Sequence, residues 1–246
     1  MAYDHSRKAG NRGDVWKHFI LLTVLTHLLE KGRRFIYRES HAGAPVHTLA
    51  TRGEWRSGIG QVLPPPSGLE GHAYLRQFDR PLRADDQYPA SWVQASALAC
   101  SLGCELTLQL HDTSPSVHRA LSDYAGKEVH ISRTAGFAAV QRNPAADLTL
   151  IDPPFTSRRD WRLSGESVAH LREQQALFAV WYPVFWPTRP NTLVERAGAP
   201  GFEVLWSRMG AKPSQTMKGC GVIVDPETGV FLEPIPKPLL AVEGCR

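Results

Sequence analysis

Short apolar runs rich in β-formers alternate along most of this chain with segments whose apolar residues recur every three to four positions. That alternation leaves few architectures open, because strands separated by helices cannot pair as hairpins. They line up as a mostly parallel sheet covered by helices on both faces. Helical spacing runs over residues 14–31, where Val15, Phe19, Leu22, Leu25 and Leu29 share a face and Gly32 is placed to end the helix. Phe35-Ile36-Tyr37 is the next strand. Residues 91–102 are helical, with Trp92, Leu98 and Leu102 inward. Residues 105–110 alternate as a strand, 116–124 form a helix after Pro115, and 128–132 form a short strand. Residues 147–151 are a buried strand, 167–182 a long helix ending at the packed run Trp181-Tyr182-Pro183, and 191–195 a strand. Residues 202–209 and 220–225 close the sheet as an antiparallel ribbon. The fold class is therefore α/β, one domain over residues 1–246.

The regular pattern breaks between residues 47 and 87. Gly58, Gly60, Pro64-Pro65-Pro66, Gly68 and Gly71 interrupt it, and Arg52, Arg56, Arg76, Arg80 and Arg83 make it basic. It is too short and irregular to own a large core, so it reads as an inserted lobe on the main domain. Its arginines suit a solvated surface or contacts to phosphates.

Composition narrows the function classes. The 246 residues are 42% hydrophobic, enough for one sizeable core, and the net charge of +4 permits a polyanionic partner without requiring one. No apolar stretch is long enough for a bilayer. The opening eight residues are polar and lack a signal-peptide core, so a cytoplasmic protein is expected. Cys100, Cys104, Cys220 and Cys245 form no disulfide framework or zinc pattern, and the ten histidines are scattered. No metal is expected.

The sharpest chemical signal is the strand Leu148-Thr149-Leu150-Ile151 running into Asp152-Pro153-Pro154-Phe155. Each proline fixes its own φ and pushes the preceding residue into an extended conformation. A stiff turn results, presenting the Asp152 carboxylate and the bare Pro153 carbonyl side by side. An exocyclic amine of a nucleobase donates two hydrogens, and two such acceptors take both. That draws the nitrogen lone pair out of ring conjugation and aims it at an electrophile. Phe155 offers a face on which a flipped base can stack. Ligands of parallel sheets sit at the C-terminal strand ends, where Glu39, Gln109 and Asp152 all fall in this reading.

Further blocks resemble the RlmJ family of ribosomal RNA adenine-N6 methyltransferases. They begin with Tyr3, His5, Ser6, Ala9-Gly10-Asn11, Asp14-Val15 and Lys17-His18. They continue in the family's order with Ser40-His41-Ala42-Gly43-Ala44, Tyr88-Pro89-Ala90-Ser91, Leu108-Gln109-Leu110-His111 and Gly136-Phe137. Ile151-Asp152-Pro153-Pro154-Phe155, Trp181-Tyr182-Pro183-Val184 and Gly221-Val222-Ile223-Val224 complete the series. The resemblance implies a class I (Rossmann-like) methyltransferase fold with a helical insertion, S-adenosylmethionine as methyl donor and an adenine of 23S ribosomal RNA as substrate. It implies Asp152 as the catalytic acid, with Pro153 and Phe155 beside it. Cofactor contacts are implied at His18, Glu39, His41, Gly43, Ser91, Gln109, Ala135, Gly136 and Asp152. Tyr3, His5, Asn11 and Lys17 are implied at the base, the N-terminal segment closing over it as a lid, in a monomeric enzyme.

Departures from the family pattern bear on the cofactor. Glu39 stands where the family has Asp, Pro45 where a second glycine belongs, Gln109 where a carboxylate would take the ribose hydroxyls, and Ala135 where an Asp would hold the adenine amine. Losing one charged acceptor costs about 1.5–3 kcal/mol where the ligand's donors stay buried. Asp112, just after the Gln109 strand, is a candidate replacement. Two alternatives follow: a non-catalytic RNA-binding relative with a degenerate cofactor site, and the same chemistry on DNA. A lone loop histidine such as His41 is also often only a local hydrogen-bonding group, and Lys17 and His18 can belong to a solvated helix face.

Overall fold

The computed structural model describes residues 7–142, 146–207 and 216–230. Helix α1 (Arg12–Leu29) opens with Asn11, whose side chain accepts the Asp14 N–H, and with Asp14 in its first turn. Strand β1 (Arg34–Glu39) follows, then a small antiparallel ribbon of β2 (Val46–Thr48) and β3 (Gln87–Pro89). Beyond it come α2 (Ser91–Ser101), β4 (Glu105–His111), α3 (Pro115–Ser122), β5 (Val129–Ser132), α4 (Gly136–Arg142) and β6 (Leu148–Ile151). The chain continues through α5 (Arg158–Glu173), β7 (Leu177–Val184), α6 (Thr188–Ala197), β8 (Gly201–Leu205) and β9 (Gly219–Val224).

Seven strands form one sheet in the order β5-β4-β1-β6-β7-β9-β8. β5, β4, β1, β6 and β7 are mutually parallel, and β9 runs antiparallel to both β7 and β8. This is the architecture of class I methyltransferases. The order reverses at β1, which pairs with β4 on one side (Glu39 opposite Leu110) and β6 on the other (Glu39 opposite Leu150). A crevice opens at the carboxyl ends of strands at such a reversal.

Three elements differ from the sequence reading. The long helix expected over 167–182 is two elements: α5 starts earlier, behind a capping box of Ser157 and Asp160, and the chain turns at Gln175 (φ 54°) into β7. β7 lies between β6 and β9 with most of its residues buried, so its apolar run does not alternate and was indistinguishable by period from a buried helix. Trp181-Tyr182-Pro183 is accordingly mid-sheet and not a helix end. The strand expected over 191–195 is inside α6, which tolerates Pro190 because it falls in the first turn. Leu102, read as inward, is the C-cap of α2 and is exposed.

The segment between β2 and β3 holds no α-helix. It has three 3-10 turns, Glu54–Ser57, Ile59–Gln61 and Leu75–Gln77, and the ribbon ties its two ends together. Leu49, Trp55, Ile59, Val62, Tyr74 and Leu75 join the same apolar cluster as Trp16, Ile20 and Leu22 of α1. Its core is thus shared with the main domain. Among the described residues no helix is long and apolar enough to cross a membrane, and no cluster of metal-ligating side chains occurs.

Candidate active site at the carboxyl edge of the sheet

The reactive edge is built from three strand ends. At the end of β6, Asp152 follows Ile151 with its carboxylate half-buried, and its Oδ2 accepts from Lys17 Nζ at 2.8 Å. The same ammonium lies 3.2 Å from Asp14 Oδ1, so one partly exposed lysine on α1 is shared by two carboxylates. Burial alone would lower the Lys17 pKa, but the Asp152 and Asp14 carboxylates outweigh it and raise it. The lysine is therefore held charged beside Asp152. Asp14 is in turn fixed by the Gly10 N–H at 3.0 Å. Asp14 was absent from the sequence-derived site, although its place one turn before Lys17 on α1 was a readable signal.

Beyond Asp152 the turn carries backbone strain. Phe155 has φ 50°, a left-handed conformation uncommon outside glycine. Its ring is only 6% exposed, packed 4.6 Å from Trp161 and 6.0 Å from Trp181, centroid to centroid. Phe155 is thus the floor of the turn more than an open stacking face. Trp181 also lies 5.9 Å from Lys17 Nζ, which places it at the site that its misread helix position had hidden. Pro153 is buried and Pro154 exposed.

At the end of β1, Glu39 is 1% exposed and accepts from the Tyr37 hydroxyl at 2.7 Å. Burial pushes its carboxyl up to about 7, while hydrogen bonds from Ser91 and Tyr37 pull the other way. Ser91, the first residue of α2, thereby links the cofactor-side loop to the ribbon that precedes it. Residues 40–43 leave the strand as a loop pinned on both sides. Ser40 N–H donates to Leu150 O at 3.0 Å and Ala42 N–H to His111 O at 2.9 Å. Gly43 has φ +65°, and nothing lies within 4 Å of where its Cβ would stand. Its N–H donates to Asp112 Oδ2 at 3.2 Å. His41 packs edge-on to Phe137 at 5.0 Å. Burial lowers its pKa against the pull of Asp152, Asp112 and Asp160, so the ring is neutral at neutral pH.

Gly136 opens α4 against this loop, and a Cβ there would sit 1.7 Å from Ser40 O. Only glycine permits that approach. Ala135 just before it is exposed.

Several expected site residues lie elsewhere or are otherwise engaged. Gln109 is not at a strand end: it sits two residues inside β4, and its Oε1 accepts from Arg38 Nε at 2.9 Å and Nη2 at 2.7 Å. The tip of β4 is Asp112, so the acidic position at that strand end is filled. His18 is 2% exposed, its Nδ1 2.8 Å from the Tyr88 hydroxyl and 2.9 Å from Gln94 Nε2, inside a buried polar network without an open face. Asn11 caps α1 and donates to Glu54 Oε2 at 3.3 Å. Pro45, the departure from the second glycine, accepts from Ala90 N–H at 2.9 Å where the ribbon begins. Tyr3 and His5 lie outside the described residues. Of the expected lid, Ala9 to Asn11 is docked: Ala9 is fully buried and Gly10 O accepts from Ile59 N–H at 2.9 Å.

A family model described as RsmJ, ribosomal RNA large subunit methyltransferase D, RlmJ, matches residues 32–227. Two curated relatives are named ribosomal RNA large subunit methyltransferase J. The one from Escherichia coli K12 is 27% identical over 89% of this chain and 83% of its own length. The one from Haemophilus influenzae is likewise 27% identical over 89% and 83%. A crystal structure of a protein from Legionella pneumophila superposes with a TM-score of 0.74 at 21% identity, covering 94% of each chain, a likeness of fold.

Proposed function

The chain belongs to this family of ribosomal RNA large subunit methyltransferases, and we propose that it transfers a methyl group from S-adenosylmethionine to N6 of an adenine in 23S ribosomal RNA. The observation that carries the reading is the Asp152-Pro153 turn at the end of β6, beside the open glycine loop of β1 and braced by Lys17.

The residues at the crevice suit the methyl donor. Gly43 leaves room for close backbone approach, Asp112 supplies a carboxylate at the β4 tip for a ribose diol, and Glu39 supplies a buried acceptor at the β1 tip. His41, Ser91, Ala135 and Gly136 would frame the same crevice, with Gly136 setting the loop's position. When bound, the donor supplies an electrophilic methyl. Everything else is orientation: Asp152 and the Pro153 carbonyl accept the two amine hydrogens and hold the nitrogen in line for attack. Lys17 engages one oxygen of Asp152, which leaves the other free to accept from the amine, itself uncharged because it is conjugated with the purine ring. The surplus proton leaves afterwards to water or Asp152. Trp181 and the remaining face of Phe155 would bound the base, and the N-terminal residues Tyr3 and His5 would cover it. Gln109 does not argue for a degenerate cofactor site, since it pairs with Arg38 while Asp112 stands at the strand tip.

Asp152→Ala should reduce methyl transfer to protein-free 23S RNA by about a hundredfold or more. Asp14 remains as a counter-ion for Lys17, so stability should fall by well under the ~3–5 kcal/mol of an uncompensated buried charge. Activity equal to the unsubstituted protein, read as methyl incorporation, would overturn the mechanism.

A further inference from the structure

A cavity of about 210 Å³ opens between the early turns of α5 and one side of α6, lined by Arg158, Arg162, Arg189 and Arg196 with Trp161 and Leu193. No acidic side chain lines it. Of these four arginines, only Arg162 has an ion-pair partner among the described residues, Glu166 on its own helix at 2.6 Å. All four arginines are exposed, so their charges are available.

Topology sets where this cavity faces. α5 follows β6 and α6 follows β7, two parallel strands, so both helices start at the carboxyl edge that carries Asp152. The cavity draws its lining from the early turns of α5 and from the length of α6, with Arg189 in the first turn and Arg196 in the last. Its floor residue Trp161 packs 4.6 Å from Phe155, so one ring separates it from the reactive turn. The indole N–H of Trp161 is buried and has no hydrogen-bond acceptor among the described residues. Three residues before α6 stands Phe185, 37% exposed, a large aromatic left open to solvent at the same edge.

We propose that this cleft seats the phosphate backbone of single-stranded RNA next to the target adenine. Guanidinium forks match phosphate oxygens two at a time, which exposed lysines do not. Phe185, exposed at the same carboxyl edge, offers a face on which a neighbouring base can stack. A nucleotide whose base enters the Asp152 turn leaves its neighbours' phosphates beside that turn, and the cleft begins at Trp161, in ring contact with Phe155 of the same turn. The proposal rests on the RNA-methylating reading above and adds the surface that holds the strand.

The test uses the full chain and a short fluorescent single-stranded oligoribonucleotide, with anisotropy measured across a salt series. The paired variant Arg189→Gln/Arg196→Gln should weaken binding about tenfold at low salt, and reduce the slope of log affinity against log salt by roughly one to one and a half. In methyl transfer it should raise KM for RNA with little change in kcat, and leave calorimetric affinity for S-adenosylmethionine unchanged. Arg34→Gln, on the opposite edge of the sheet, should leave the slope as it was. If the unsubstituted chain binds RNA and methylates it while the paired variant shows the same affinity and slope, the cleft is refuted and the function stands. If the unsubstituted chain neither binds nor methylates RNA, both fall.

Discussion

Gln109 and Asp112 divide a role that the residue types alone assigned to one position. The Gln109 amide is engaged by Arg38, a fully buried guanidinium whose pKa burial lowers, so a carboxylate there would pair with that arginine before any ligand. Gln109→Glu should therefore leave S-adenosylmethionine affinity unchanged, while Asp112→Asn should weaken it by about tenfold or more, the loss of one charged acceptor. Calorimetric titration of the two variants checks this, and tightening in Gln109→Glu would restore the first assignment. Glu39 carries a second residue-scale consequence. Burial pushes its carboxyl up to about 7 in the folded chain, against about 4.5 for the free side chain when unfolded, so folding favours the protonated form. That contribution is complete below about pH 4.5 and is lost as pH rises through about 7, by linkage on the order of 3 kcal/mol. Glu39→Gln should flatten stability against pH across that window in urea denaturation. A slope unchanged by the substitution would assign it to another group.

Among elements, the strands with distinct flanks were legible and the ones without were not. β6 announced itself because Asp152-Pro153-Pro154 ends it sharply, and β8 and β9 because two short apolar runs read as a closing antiparallel pair. β7 was lost because helices cover both its faces, leaving no alternation for a sequence reader to find. α6 was lost because Pro190 and Thr192 look like strand or loop residues outside the context of a first helical turn. At the site, Asp152, Glu39 and the glycine loop could be placed from local pattern. The misplacement of Gln109 came from a strand end that only the β1–β4 register fixes. The Lys17–Asp152 contact spans 135 positions of sequence, and no local pattern encodes it. The junction of α4 with the β1 loop is another long-range fact. Gly136→Ala would place a methyl group 1.7 Å from Ser40 O, backbone that cannot step aside. We expect a loss of about 2–4 kcal/mol, beyond ordinary overpacking, together with loss of cofactor affinity. A melting temperature within a degree or so of the unsubstituted protein would show that α4 shifts freely.

As a whole molecule, the chain has two apolar clusters on one sheet, and the inserted segment belongs to the first of them. Trp55 of the insertion and Trp16 of α1 share that cluster, so they should lose their environment together. Tryptophan fluorescence and far-ultraviolet circular dichroism should give coincident unfolding curves, and residues 47–87 alone should show no cooperative transition. A separate early fluorescence transition would make the insertion an independent unit. The same topology gives the molecule a back as well as a front. The reactive groups lie where parallel strands end, whereas the turns before β1, β4 and β7 lie at the far rim. Gly103 in the turn before β4 faces open space on the side where a side chain would project. That rim is a mounting plate: a dye or a surface tether joined at the exposed Cys100, just before that turn, would point away from the strand being modified, leaving the working face clear.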